Sequence, residues 1–272
     1  MTVPSKLSSQ ALKALAVVAG LASAAPAAWA QAFDAVRLFG AASGMDGGTA
    51  GVAFIAGTQY AGSNERRNLI LPLLDYQWTN GWFAGTSNGV GYEFGKRLDM
   101  QYGLRLTFDR GRDADRSSVL RGMGDIDIKP EAGAFFNYFV SPQVFLTSSL
   151  RSGAGNNGRG MVVDLGVGYA TQLAPQWRMA VGAAATLANA DYLQSYFGVT
   201  PAQAAASGHA VHTSGSGLRD VRASLSLNYF LTRQVTFTTA LSVSALQGGA
   251  KDSPLTRKAT SPTGVFVIGY GF

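Results

Sequence analysis

The 272-residue chain contains no cysteine and only two histidines. The first absence excludes disulfide frameworks, thiol nucleophiles and thiolate zinc sites; the second leaves too few imidazoles for a histidine-based metal cluster. Charge is scarce too, at 14% of residues against roughly 25% in ordinary soluble domains. The 22 basic and 16 acidic residues give a net charge of +6. With no Lys/Arg block among them, they offer no footprint for a nucleic acid. Beyond residue 30 no apolar run reaches the roughly 18 to 20 residues of a spanning helix; the longest, Met179 to Ala190, is mostly Ala and Gly. What the chain has in excess is glycine, 34 residues, near twice the average share of roughly 7%. It also carries 15 Phe, 10 Tyr and 4 Trp, a load that excludes a disordered polymer.

Residues 1–30 read as a cleavable signal peptide. Lys6 and Lys13 flank the start, Ala14 to Ala25 form an apolar core and Pro26 breaks it; Ala28 and Ala30 then supply the small residues of an A-x-A cleavage site. Residues 31–48 form an irregular segment. From residue 49 to 272 the chain is a succession of roughly ten-residue segments with period-two alternation, separated by turn residues. Along 221–229, for instance, Val221, Ala223, Leu225, Leu227 and Tyr229 oppose Arg222, Ser224, Ser226 and Asn228.

A soluble sandwich alternates as well, so other features must decide. Gly and Ser recur on the polar faces. Aromatics cluster near segment ends, at Trp78, Trp82, Trp177 and Tyr229. Short turns at 79–81, 141–142, 174–175 and 232–233 alternate with long polar loops at about 109–125, 152–159, 189–218 and 247–262. That combination predicts an all-β, antiparallel transmembrane β-barrel of about twelve strands in the outer membrane of a Gram-negative cell, short turns periplasmic and long loops extracellular. One of the twelve rests on Asn88-Gly89, taken as a two-residue hairpin turn. At the end of the chain Phe266, Ile268, Tyr270 and Phe272 form an apolar row that resembles the signal read by the barrel-assembly machinery.

Several patterns imitate catalytic motifs. Gly85 to Gly89 fits G-x-S-x-G around Ser87, but a strand follows where a nucleophile elbow needs a helix. Gly153 to Gly158 fits G-x-G-x-x-G and also opens into a strand. Asp109, Asp113 and Asp115 are interleaved with arginines, as in a solvated loop rather than a calcium site. His209 and His212 read as solvated loop residues. No catalytic, metal or cofactor site is expected.

On the polar faces, Asp75, Glu93, Asp127, Glu131, Asp164 and Asp220 stand against Arg105, Lys129, Arg151, Arg178 and Arg222. Near balance of sign predicts paired charges packing a narrow lumen rather than a selective pore. In the long 189–218 loop, Thr200, Pro201 and Gln203 form a T-x-x-Q capping box with proline at the first helical position, predicting a short helix that ends at Gly208. Arg112, Arg116, Arg121, Lys251, Arg257 and Lys258 lie in the long loops, where they could meet lipopolysaccharide phosphates.

The run Asp191 to Gln203, DYLQSYFGVTPAQ, followed by Gly217-Leu218-Arg219-Asp220-Val221, resembles the signature of the MipA/OmpV family. Tyr60 to Ser63, Leu71 to Tyr76, Arg121 to Asp125 and Asp252-Ser253-Pro254 support the resemblance over nearly all of 49–272; only the front, Phe33 to Gly48, departs from it. The resemblance implies a non-enzymatic outer-membrane protein with a scaffolding or interaction role, bridging a murein transglycosylase and a murein synthase, or a role in envelope stress. A narrow channel for small solutes is the alternative.

Overall fold

The computed structural model describes residues 46–95, 97 and 99–272; the cleavage site at Ala28 and Ala30, and nearly all of the 31–48 segment, lie outside the described residues. Twelve strands follow one another: β1 (Gly47–Thr58), β2 (Arg66–Gln77), β3 (Trp82–Gly85), β4 (Gly89–Glu93), β5 (Met100–Asp109), β6 (Lys129–Phe139), β7 (Val144–Ala154), β8 (Gly160–Ala174), β9 (Trp177–Ala188), β10 (Gly217–Phe230), β11 (Val235–Leu246) and β12 (Thr260–Gly271). Each pairs antiparallel with its neighbours, and β12 returns to β1, so the sheet is a closed barrel. The start of β1 and the end of β12 lie together at the short-turn end, where Gly48 N donates to Phe272 O at 2.8 Å.

Alternation along the strands sorts side chains to the two faces. Ile70 on β2 is 72% exposed while Leu69 and Leu71 turn inward. Leu106, Leu146, Val167, Leu241 and Ile268 join Ile70 on an exterior apolar band. At its short-turn edge the band carries an aromatic girdle: Trp82, Tyr92, Phe94 and Tyr102 follow one another at 5.3 to 6.1 Å, and Trp177 meets Tyr229 at 4.8 Å. An apolar exterior with an aromatic rim is what lipid and its interface require of a barrel. Phe266, Ile268, Tyr270 and Phe272 all lie on this exposed face.

On the inner face three phenylalanines each lie across a glycine of the adjoining strand. Phe83 is the register partner of Gly91, Phe135 of Gly103 and Phe145 of Gly168. A Cβ on Gly91, Gly103 or Gly168 would come within 2.3, 2.8 or 2.0 Å of the partner ring. Each ring therefore occupies the volume that a side chain would fill.

The β3–β4 turn differs from expectation. Gly85 pairs with Gly89 across three residues, and Gly89 (φ 72°) alone has positive φ, so the link is a three-residue loop rather than an Asn-Gly turn. This hairpin is short, and β2 bonds to β3 only over Asp75–Gln77. Residues 66–73 of β2 are paired with β1 alone among the described residues. Leu74 faces its N–H and C=O toward Thr86 on the β3 side; by the two-residue period Pro72 faces the same way, where its missing N–H forfeits no ladder bond.

The long loops fold over the opposite end. They contain helices α1 (Ala190–Phe197), α2 (Pro201–Ser207) and α3 (Gly248–Lys251). One short helix was expected here; α1 and α3 are additional. Asn189 caps α1 by accepting from Tyr192 N, and the same side chain binds Met161 N and Arg159 O, fastening the helix to the start of β8. α2 has the full capping box: Thr200 N donates to Gln203 Oε1 at 3.0 Å and Gln203 N to Thr200 Oγ1 at 3.3 Å, with Gly208 left-handed at the C-terminus.

Candidate functional site

Two features occupy the interior, a polar belt in the long-loop half of the barrel and a cap above it. In the belt, Arg151 Nη1 lies 3.3 Å from Glu131 Oε2 and its Nη2 lies 3.1 Å from Asp164 Oδ2. Thr186 Oγ1 donates to the other Asp164 oxygen at 2.7 Å, and Arg105 Nη2 donates to Ser149 at 3.0 Å. These groups come from β5 to β9 and meet because strict alternation turns all of them inward. Glu131 is 1% exposed, and a carboxylate that deep requires its cation.

Below the belt a cavity of about 730 Å³ reaches the short-turn end, where Gln234, Gly271, Phe272, Asp75 and Glu93 line it; Arg105, Asp164 and Arg222 line it nearer the belt. Gln77 Nε2 donates to Glu93 at 3.3 Å, and Asp75 accepts from Ser87 N at 3.1 Å. Ser87 is thus a turn residue tied to the wall. Arg178 points inward near the same mouth, and Lys129 turns inward at the far rim, where its ammonium binds Asn156 O.

One lumen assignment requires correction and another needs an addition. Asp127 is exposed and outside the lumen, because Ile126 bridges to Arg112 and bends the chain into the cap before β6 begins at Lys129. Asp220 does face inward, and so does its neighbour: a bulge between Leu218 and Asp220 breaks the alternation and turns Arg219 in as well. Arg219 Nε then binds Asp220 Oδ2 at 2.5 Å, and Nη1 donates to Tyr192 Oη at 2.9 Å.

The cap has two apolar clusters. One joins Leu193, Tyr196 and Phe197 of α1 to Ile126, ahead of β6, and to Val162 and Leu246 at strand ends. The other joins Tyr60, Ala114, Leu120, Met123, Val199 and Leu255 from four different loops. Hydrogen bonds lock them together: Tyr60 Oη donates to Leu255 O at 3.0 Å, Ser253 Oγ to Phe197 O at 2.6 Å and Gln203 Nε2 to Met123 O at 2.7 Å. Tyr196 Oη donates to both oxygens of Asp109, at 2.6 and 2.7 Å, and Gly155 N completes that carboxylate at 2.9 Å. Burial, reinforced by Tyr192 and Asp109, holds the Tyr196 phenol far above the ordinary tyrosine range.

His209 and His212 are not free in solvent. Their Nε2 atoms contact Val119 O at 2.7 Å and Gly249 O at 2.9 Å, so both pin one loop to another. Arg112 does not face lipopolysaccharide either; it is 7% exposed and Nη1 donates to Tyr196 O at 2.6 Å. The motifs of the family resemblance converge on this cap: Tyr60, Met123, Phe197, Thr200 and Ser253 are its joints. Asp109 and Arg219 escaped sequence reasoning, the first among apparent loop aspartates and the second behind the bulge.

The family model described as MltA-interacting protein MipA matches residues 50–272. No curated protein matches the chain in sequence. Among solved structures, the KdgM porin aligns with a TM-score of 0.46 at 7% identity, covering 82% of this chain and 99% of its own. The NanC porin gives 0.45 at 11% identity over 80% and 98%. The outer membrane channel DcaP of Acinetobacter baumannii gives 0.41 at 8% over 84% and 96%.

Proposed function

Because the chain belongs to the MipA family and folds as an outer-membrane β-barrel, we propose that it is a non-enzymatic docking protein that holds a murein transglycosylase, and with it a murein synthase, at the periplasmic face. The observation that carries this reading is the asymmetry of the lumen. The extracellular end is filled by a cap with its own apolar clusters, while the periplasmic end opens into a concave cavity of about 730 Å³. A solute channel needs a continuous path, and the belt and cap obstruct it. The periplasmic turns are too short to form a docking surface by themselves, whereas a mouth rimmed by Gln234, Phe272 and Gly47 offers a concave receptor for a protruding segment of a partner.

The test is a pull-down from detergent-solubilised envelopes with the purified protein as bait, beside planar-bilayer recordings on the same preparation. Enrichment of a lytic transglycosylase without steady conductance is the expected result. Failure to enrich either murein enzyme, or a steady conductance in the intact protein, overturns the docking role; the second outcome favours the channel.

A further inference from the structure

Between the cap and the inner faces of β1, β2 and β10 to β12 lies a second, separate chamber of about 70 Å³. Its walls carry four arginines, Arg67, Arg112, Arg116 and Arg219, against two carboxylates, Asp113 and Asp220. Both carboxylates are engaged, Asp113 by Arg116 at 2.6 Å and Asp220 by Arg219 at 2.5 Å. Arg67 and Arg112 form no ion pair with either carboxylate. Arg112 spends Nη1 on a backbone carbonyl, and deep burial lowers its pKa although Tyr196, Tyr60 and Asp125 act in the opposite direction.

The donors that remain are specific atoms. Arg67 Nη1, Arg112 Nε, Arg219 Nη2 and Ser261 Oγ are all buried and without a hydrogen-bond partner. Arg112 and Arg219 are 7% and 5% exposed, so bulk water does not satisfy them. Leaving so many charged donors unpaired in one place is costly, and the pattern is that of a site shaped around something absent from the protein itself. The unpaired acceptor there is Asp220 Oδ1, which calls for one O–H on the ligand.

We propose that this chamber binds a small tetrahedral oxyanion of the phosphate class, protonated on one oxygen. The guanidinium edges supply the charge-assisted hydrogen bonds that planar, multidentate phosphate recognition uses. Ser261 donates to a further oxygen, and the ligand's own O–H is donated to Asp220 Oδ1. The chamber is several times the space that one water needs and holds one such ion. Arg116 and Asp113 are partly exposed, so the chamber meets the extracellular surface beside them, where either free phosphate or a lipid headgroup phosphate can arrive. The site is distinct from the periplasmic cavity, and its failure would leave the docking role untouched.

The test is thermal unfolding of the protein purified from outer membranes, with sodium phosphate, with lipopolysaccharide, or with sodium chloride at matched ionic strength. Phosphate is expected to raise Tm by about 2–4 °C over chloride, and Arg67→Gln is expected to abolish the rise. The Arg67 side chain makes no hydrogen bond or ion pair among the described residues that the fold depends on, and Ser261→Ala gives a second, milder lesion with a reduced rise. A rise with free phosphate identifies a soluble ligand. A rise with lipopolysaccharide alone, lost in Arg67→Gln, identifies a headgroup. No rise over chloride in either arm, or an equal rise in Arg67→Gln, overturns the proposal.

Discussion

Phe83, Phe135 and Phe145 reach with their ring tips over glycines of the next strand, and this pairing explains part of the glycine excess. A glycine on an inner face normally weakens a strand, but here the neighbouring ring takes the empty volume and screens the exposed backbone. Gly168 tests the idea most cleanly, because the three nearest atoms to an added Cβ all belong to the Phe145 ring. Gly168→Ala must expel that ring from its rotamer, at a cost of about 1–3 kcal/mol. The check is the urea midpoint of the variant against the parent, and an unchanged midpoint would show that the ring is not locked. At this scale alternation made Glu131, Arg151, Asp164 and Arg222 legible in the sequence, since regular strands keep their parity. It failed at Arg219, where a bulge resets parity, and at Asp127, where the strand has not yet begun.

The element that carries most of the unexpected structure is the cap. α2 was legible because Thr200, Pro201 and Gln203 are local signals, complete within one turn. α1 was missed although Asn189 is an N-cap and Leu193, Tyr196 and Phe197 recur at helical spacing, since eight residues give too few turns for periodicity to stand out in a polar loop. The joint between α1 and the wall is Tyr196 with Asp109. Tyr196→Phe removes the phenol that bridges both carboxylate oxygens and leaves a buried acceptor short, costing about 1–3 kcal/mol. The pH dependence follows from the raised phenol: the folded protein keeps a proton that the unfolded chain releases near pH 10.0. The stabilisation is complete below that value and declines as pH rises beyond it. Denaturant unfolding at neutral and at alkaline pH should show this decline in the parent and a shallower one in Tyr196→Phe. Identical slopes would remove Tyr196 from the account.

As a whole the molecule is a cup: walled by strands, roofed by loops and open at the short-turn end. Replacing residues 190–208 with a short Gly/Ser linker removes α1 and α2, and it is expected to give steady conductance in planar bilayers where the intact protein is expected to give none. Continued silence would mean that the ionic belt alone seals the lumen. Twelve strands, with short turns at one end and long loops at the other, could be read from the sequence, because period and loop length are properties of the chain alone; the roof could not, because it is assembled from loops far apart in sequence. The short β3–β4 hairpin has a consequence for how the wall holds its shape. Level with residues 66–73 the ladder is interrupted on one side, so the ten strands from β2 round to β5 form a horseshoe rather than a hoop. Tyr60 follows β1 and Ala114 and Leu120 follow β5, and their contact in one apolar cluster spans the open ends. The roof is thus also a clasp, and in that half of the barrel side-chain packing carries the circumferential load that backbone hydrogen bonds carry everywhere else.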